Sequence, residues 1–373
     1  MNIFLTGATG YIGQALVRQL RGRGWSVTTL VREPSGAAAQ WLTGMGCRLV
    51  RGDVTRPDGL AQAMAGADVL IHNAGVYELG SDRALRVRMQ AANVQGTDHV
   101  LAAAHSAGVP RSVYVSTVWA LGPSGTGQAD ESHPHDGRYR TPYERSKVEA
   151  HQVSLRWRER GLPLAIAMPN AVIGANDHSV WGYFLRLYLL GWLPPMAWAR
   201  RSVYGLVDVE ALASGIALMA ERAPMGEDYL FCGPPQSVGA VFDHWGRHPG
   251  GWKRRLWMPA WFMRLQFMSM EPLQRMLGLP AFMSRETVDA SSVHLNYSAA
   301  KAQRELGWQH PGAAAMWDRV ITEERALMQD RHGFLAKLRH QAVASLEASQ
   351  PGPSTPPAAR VGPRAEQALG RRR

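Results

Sequence analysis

The chain has 373 residues, 46% apolar and 19% charged, with a formal charge of +11. That length and apolar share supply a large buried core and exclude an intrinsically disordered chain. The charge raises nucleic acid and anionic membranes as partners, but the arginines are scattered and no nucleic-acid recognition motif accompanies them, so no nucleic-acid partner is expected.

Residues 3–5, Ile3-Phe4-Leu5, read as a buried parallel strand. The strand breaks at Gly7-x-x-Gly10-x-x-Gly13 into an amphipathic run over 11–23, with Ile12, Leu16, Val17 and Leu20 at helical spacing. Such a turn suits a dinucleotide. Gly7 permits the tight turn, Gly10 lets backbone approach a pyrophosphate, and Gly13 lets helix and strand pack closely. The helix N-terminus adds free N–H groups and a positive dipole end.

Further strands are predicted at 26–31, 47–50, 68–72, 112–117 and 164–168, alternating with helices. A long helix is expected over roughly 83–108, and another is expected to start at Pro142 in a first-turn position. The alternation predicts an α/β fold with a doubly wound parallel sheet, residues 1–168 forming the dinucleotide-binding domain. From Pro169 the rhythm changes. Trp- and Met-rich segments, 181–198 and 252–283, are interrupted by strand-like runs at 206–209 and 229–232. They predict a smaller C-terminal substrate lobe over 169–330, partly returning to the first domain and closed by helices at 298–306 and 313–328. Residues 340–373 predict a disordered basic tail. The apolar stretches are too short to span a bilayer, and no charged leader precedes the first strand. Cys47 and Cys232 stand in no metal spacing, and His133-Pro134-His135-Asp136 reads as a solvated loop. A cytoplasmic protein with reduced cysteines and no metal is expected.

The chemistry-bearing stretch is Tyr143-Glu144-Arg145-Ser146-Lys147, which puts a phenol and an ammonium on one helix face. A phenol titrating near 10 is a poor acid or base at neutral pH, and a neighbouring cation is expected to lower it. Lys147 can also hold the ribose hydroxyls of a nicotinamide cofactor. The strand end Tyr114-Val115-Ser116-Thr117 offers a hydroxyl where a substrate carbonyl would sit.

Over about residues 1–330 the chain resembles the extended short-chain dehydrogenase/reductases, also called the NAD-dependent epimerase/dehydratase family. Thr6-Gly7-Ala8-Thr9-Gly10-Tyr11-Ile12-Gly13 is similar to that family's cofactor fingerprint, and Gly52-Asp53-Val54 to its adenine-contacting turn. Asn93-Val94-Gln95-Gly96-Thr97 is similar to its mid-helix signature, and Tyr143-x-x-x-Lys147 to its active-site pair. Tyr297-Ser298-Ala299-Ala300-Lys301, leading to Glu305-Leu306-Gly307-Trp308, resembles its C-terminal signature. Leu30-Val31-Arg32-Glu33-Pro34 has the form seen in the dihydroflavonol-reductase-like and hopanoid-associated branch.

The resemblance implies a Rossmann-type fold and an NAD(P)-dependent oxidoreductase moving hydride between the nicotinamide and a carbonyl or secondary alcohol. Tyr143 would move the proton, Lys147 would tune it, and Thr117, with Ser116 second, would bond the substrate oxygen. Asn93 would serve a proton relay or hold a strand end. Gly7, Thr9, Gly10, Tyr11, Ile12, Arg32, Asp53, Val54, Ala74, Gly75, Lys147 and Pro169 are the expected cofactor contacts. Arg32 follows Val31 where a cofactor lacking a 2′-phosphate wants an acid, so NADP is expected, with Glu33 leaving NAD open.

Some positions depart from the family pattern. Asn73 is expected to contribute backbone only. Met168-Pro169-Asn170 lacks an arginine before the proline, and Arg200 and Arg201 stand farther upstream of 206–209 than a sugar-diphosphate site expects. A nucleotide-sugar epimerase or dehydratase with tightly held NAD is the alternative, and a non-catalytic cofactor-binding scaffold the third. The methionines and tryptophans of 252–283 have three readings: core, an adaptable pocket for an apolar small-molecule substrate, or a membrane-surface contact with Lys253-Arg254-Arg255. A homodimer is left open.

Overall fold

Short apolar runs without alternation can be buried only between two helix layers, and the chain uses them so. The computed structural model describes residues 1–80, 82–276 and 282–329; the expected tail at 340–373 lies outside them. Strands β1 (Asn2–Thr6), β2 (Ser26–Val31), β3 (Arg48–Arg51), β4 (Val69–His72), β5 (Ser112–Val115), β6 (Leu164–Pro169) and β7 (Asp228–Phe231) form a 7-stranded sheet in the order β7-β6-β5-β4-β1-β2-β3. Every neighbouring pair is parallel. From β1 the chain winds outward through β2 and β3, then returns at β4 on the other side. That reversal leaves a crevice beyond the carboxyl ends of β1 and β4.

The helices among the described residues are α1 (Tyr11–Gly22), α2 (Ala37–Gly44), α3 (Leu60–Ala63), α4 (Arg83–Gln90), α5 (Gly96–Ser106), α6 (Pro142–Glu159), α7 (Val180–Leu189), α8 (Val209–Arg222), α9 (Val238–Trp245), α10 (Ala260–Met276), α11 (Arg285–Ser291), α12 (Ala300–Leu306) and α13 (Ala313–Gln329). Helix α1 turns Leu16, Val17 and Leu20 onto the sheet. It lies so close that a Cβ added at Gly13 would stand 2.0 Å from the Gly7 carbonyl oxygen. Gly13→Ala is therefore expected to cost about 3 kcal/mol, read as a fall in the urea midpoint. An unchanged midpoint would show that the turn yields without strain.

Three expected elements differ from the structure. The helix expected over 83–108 is continuous to Ser106 but takes a π-helical turn, Ala91–Gln95, between α4 and α5, where Asn93 is buried. The strand expected at 112–117 ends at Val115, and Thr117 instead caps a 3₁₀ turn by accepting from the Trp119 N–H at 3.3 Å. The strand-like run at 206–209 shrinks to Val207–Asp208, paired with Val172–Ile173. Asp208 accepts from the Glu210 and Ala211 amides and so starts α8 at Val209. In contrast, the run at 229–232 joins the main sheet as edge strand β7.

The residues of the C-terminal signature act as fasteners around that edge. Lys301 Nζ pairs with Glu227 at 2.6 Å, the Tyr229 hydroxyl bonds Glu305 at 3.0 Å, and Trp308 Nε1 donates to the Ala211 carbonyl at 2.7 Å. Buried side chains from Ile3 and Leu16 through Tyr229 to Trp308 and Trp317 form one continuous cluster. A small second cluster, Met263, Phe267 and Val288, lies between α10 and α11.

Candidate active site

A cavity of about 890 Å³ opens over the carboxyl ends of the central strands. Gly7, Thr9, Gly10, Tyr11, Ile12, Arg32, Asp53, Val54, Ala74, Gly75 and Pro169 line it, as do Ser116, Thr117 and Tyr143. Lys147 and Asn93 stand one layer behind its wall. Residues scattered over most of the first half of the chain thus meet in one place.

The glycine turn is shaped by close approach. Gly7 has φ +74°, and a Cβ there would meet the Ala74 amide nitrogen at 2.7 Å. At Gly10 the nearest atom to an added Cβ is the Gly7 oxygen, 3.4 Å away, which leaves the backbone clear toward the cavity. The first-turn amides of α1 have no partner within the helix. This cradle fits a pyrophosphate. The end of β4 is fixed to it by His72, whose Nδ1 lies 2.7 Å from Thr6 Oγ1 and Nε2 3.1 Å from Thr97 Oγ1. Asn73 does more than the backbone contact expected of it, because its Nδ2 donates to the Gly7 carbonyl at 3.3 Å. The Asp53 carboxylate is held in a turn by the Thr55 amide and hydroxyl, each 2.9 Å away. The Arg32 side chain is exposed and forms no hydrogen bond or ion pair with the described residues. Glu33 instead turns back to accept from the Ser35 amide and hydroxyl and does not line the cavity.

Tyr143 owes its position to a clamp at the start of α6. Thr141 caps the helix, its hydroxyl accepting from the Glu144 amide at 3.0 Å, with Pro142 in the first turn. Glu144, fully buried, pairs with Arg140 at 2.9 Å and accepts from the Arg140 amide at 2.5 Å. The Tyr143 ring meets Tyr77 edge-on, centroids 4.8 Å apart.

The expected lowering of the phenol by its lysine is corrected here. Burial, with Tyr77 and Tyr114 nearby, holds Tyr143 well above its ordinary value, and hydrogen bonding by Thr117 pulls only partly against this. Lys147 leans toward the sheet, its Nζ donating to the Val115 carbonyl at 3.3 Å and standing 5.4 Å from the Tyr114 ring centre. Burial pushes its ammonium down to about 8. Asn93 is spent on the loop after β4. Its Oδ1 accepts from the Val76 amide at 2.7 Å, while Nδ2 donates to the Val76 carbonyl and to Ser146 Oγ, both at 2.9 Å.

Beyond Tyr143 the cavity wall is aromatic, with Trp181, Phe184, Trp198, Tyr204 and Phe242. No methionine lines it among the described residues, which corrects the pocket reading of 252–283; Met263 and its neighbours instead fill the small cluster under α10. The arginines lining the cavity are Arg32 and Arg88. Arg200 stacks over Trp257 at 5.5 Å, and neither it nor Arg201 reaches the wall.

Two residues escaped the sequence reading. His72 looked like the end of an apolar strand, and its partners lie 66 and 25 positions away. Asp177, buried and lining the cavity, is pushed up to about 6 by burial although Ser179 and Gly182 donate to it. The Asp177-x-Ser179 spacing before an apolar run was a visible helix-start signal. Away from the cavity, His133 meets the Pro123 carbonyl at 2.9 Å and His135 meets Glu144 at 3.4 Å. His244 and His248 both meet Asp318, at 2.9 and 3.0 Å, and tie α9 to α13.

Comparison with known proteins agrees with this geometry. The profile of the NAD dependent epimerase/dehydratase family matches residues 3–232. Over 234 residues the chain is 35% identical to the 4-hydroxy-2-methyl-3-oxo-4-farnesyl-3,4-dihydroquinoline-1-oxide ketoreductase of Stigmatella aurantiaca, covering 62% of this chain and 67% of that one. It is 31% identical over 322 residues to a dihydroflavonol-4-reductase-like protein of Synechocystis sp., covering 82% and 89%. The crystal structure of gox2253 superposes with a TM-score of 0.71 at 30% identity, covering 87% of this chain and 98% of that one.

Proposed function

The chain belongs to the NAD dependent epimerase/dehydratase family and is an NAD(P)-dependent oxidoreductase of the extended short-chain dehydrogenase/reductase type; from that premise we propose that it uses NADP(H) to reduce the carbonyl of an apolar small molecule. The observation that carries the reading is one cavity joining a protonated Tyr143 beside Thr117 to an aromatic far wall. Bound NADPH supplies the hydride. Tyr143, held neutral by burial, gives its proton to the substrate oxygen, and Thr117 bonds the same oxygen. Lys147, charged at neutral pH, would hold the ribose hydroxyls and favour the phenolate that remains. Asn93 acts as a positioning residue, keeping the 73–76 loop against the cofactor half. Residues 1–168 serve dinucleotide binding and 169–330 the substrate.

NADP is preferred because Arg32 stands at the cavity edge without a partner among the described residues while Glu33 is engaged by Ser35. The apolar wall and the lack of Arg200 and Arg201 among its described lining residues weigh against a nucleotide sugar. The farnesyl group in the name of the Stigmatella relative supports an apolar ligand as well. Fluorescence titration tests the cofactor. NADPH is expected to bind more tightly than NADH, and Arg32→Ala to weaken NADPH about tenfold or more while sparing NADH. NAD co-purifying with the protein, with no preference for the phosphate, would favour the epimerase or dehydratase instead.

A further inference from the structure

Helix α10 is apolar on two opposite faces. Met263 and Phe267 point inward, 2% and 5% exposed. Trp261, Leu265, Met268 and Met276 point outward, 65%, 64%, 52% and 76% exposed. With Pro272 these outward residues recur at steps of three and four, a single helical face. Of the charged side chains described on α10, Arg264 is 43% exposed and paired with Asp289, and Glu271 is half-buried. Further exposed apolar side chains lie upstream in the chain. Leu256 pairs in register with Met196, and a Cβ at Gly251 would sit 3.5 Å from Gly191 Cα, which brings the backbone before Trp252 against the backbone before Trp192. Both tryptophans are more than 60% exposed, as is Leu256. Between them Lys253 and Arg254 are exposed. Segment 252–276 carries Lys253, Arg254, Arg255, Arg264 and Arg275 against Glu271 alone. Arg255 is taken up by the Pro194 carbonyl and Arg264 by Asp289, and among the described side chains Lys253 and Arg254 are left as exposed cations.

We propose that this face lies on the surface of an anionic lipid bilayer and that the substrate enters the cavity from there. Outward tryptophans beside an apolar helix stripe suit the boundary between headgroups and acyl chains, and the neighbouring cations suit anionic headgroups. No helix among the described residues is long and apolar enough to cross a membrane, so the contact is one of lying on the surface. The same helices back the cavity. Phe267 of α10 packs edge-on against Trp198, centroids 5.2 Å apart, and Trp198 lines the cavity with Thr287, Ala290 and Ser291 of α11. Only the entry route rests on the apolar-substrate reading; the docking itself does not.

Flotation of the full-length protein with vesicles, in the absence of substrate, tests the docking apart from the chemistry. Co-flotation is expected with phosphatidylcholine–phosphatidylglycerol vesicles, much less with phosphatidylcholine alone, with a blue shift of tryptophan emission. The variant Trp261→Ser/Leu265→Ser/Met268→Ser is expected to lose about tenfold or more in vesicle affinity, with NADPH affinity retained as the check on folding. Lys253→Gln/Arg254→Gln, which leaves the helix untouched, is expected to lose about tenfold on the anionic vesicles alone. Failure of the wild type to float, or full binding by both variants, overturns the proposal. A solution dimer that the serine variant splits would assign the face to a second copy. Vesicle binding that appears only after deletion of 330–373 would assign it to the chain's own C-terminal segment.

Discussion

Tyr143→Phe is expected to lower kcat for carbonyl reduction about a thousandfold, while NADPH affinity stays within about twofold because the phenol oxygen is the only atom removed. The size follows from the site. The phenol is kept protonated by burial and stands beside Thr117 in a cavity whose far wall is aromatic, where it is placed to give its proton to a substrate oxygen. Steady-state turnover with the best ketone, paired with NADPH titration, separates the chemical step from binding. Retained turnover would move the proton-donor role to another cavity acid, such as Asp177, pushed up to about 6, or Glu78, also raised by burial. Full biological function in the absence of turnover would return the protein to the scaffold reading.

The second large effect is acid sensitivity. His72, fully buried, is pushed down to about 3 by burial, with Lys147 adding to it, and burial pushes His151 down to about 4. Between pH 6.5 and those values the unfolded chain takes up protons that the folded chain refuses, so stability is complete above 6.5 and falls as the pH drops. At pH 5 each histidine accounts for about 2 kcal/mol of loss. Asp177 works in the opposite sense. Its raised value lets the folded state protonate first, returning about 1.4 kcal/mol between pH 7 and 5. The histidines win, and the net loss from pH 7.5 to 5 is about 2–3 kcal/mol, visible as a lower urea midpoint. His72→Gln keeps a hydrogen-bonding side chain but cannot titrate, so it is expected to flatten the pH slope whatever its midpoint at pH 7.5. An undiminished slope in that variant would acquit His72.

How much of this was legible can be judged residue by residue. The glycine turn was readable because a strand, three spaced glycines and a helix are neighbours in the chain. The Tyr143–Lys147 pair shared a helix face for the same reason. The π turn at Ala91–Gln95 was not readable, since the apolar pattern of α4 and α5 runs through it and only packing shows the widened turn. Nor was the state of the Tyr143 phenol. Spacing placed a cation four residues away, but the fold sends Lys147 to the Val115 carbonyl and closes Tyr143 under Tyr77.

The amino-acid order, taken alone, settled what depends on neighbours within a few residues: the cofactor turn, the helix starts, the paired strands, and hence the family. Tertiary structure decided the rest. It made His72 a buried link between segments 66 positions apart, turned Glu33 into a loop while leaving Arg32 at the cavity, and divided the methionines of α10 between a small core and an exposed face. The reason is physical. Periodicity says which residues share a side, but charge state and exposure depend on what packs against that side, and those partners come from distant parts of the chain.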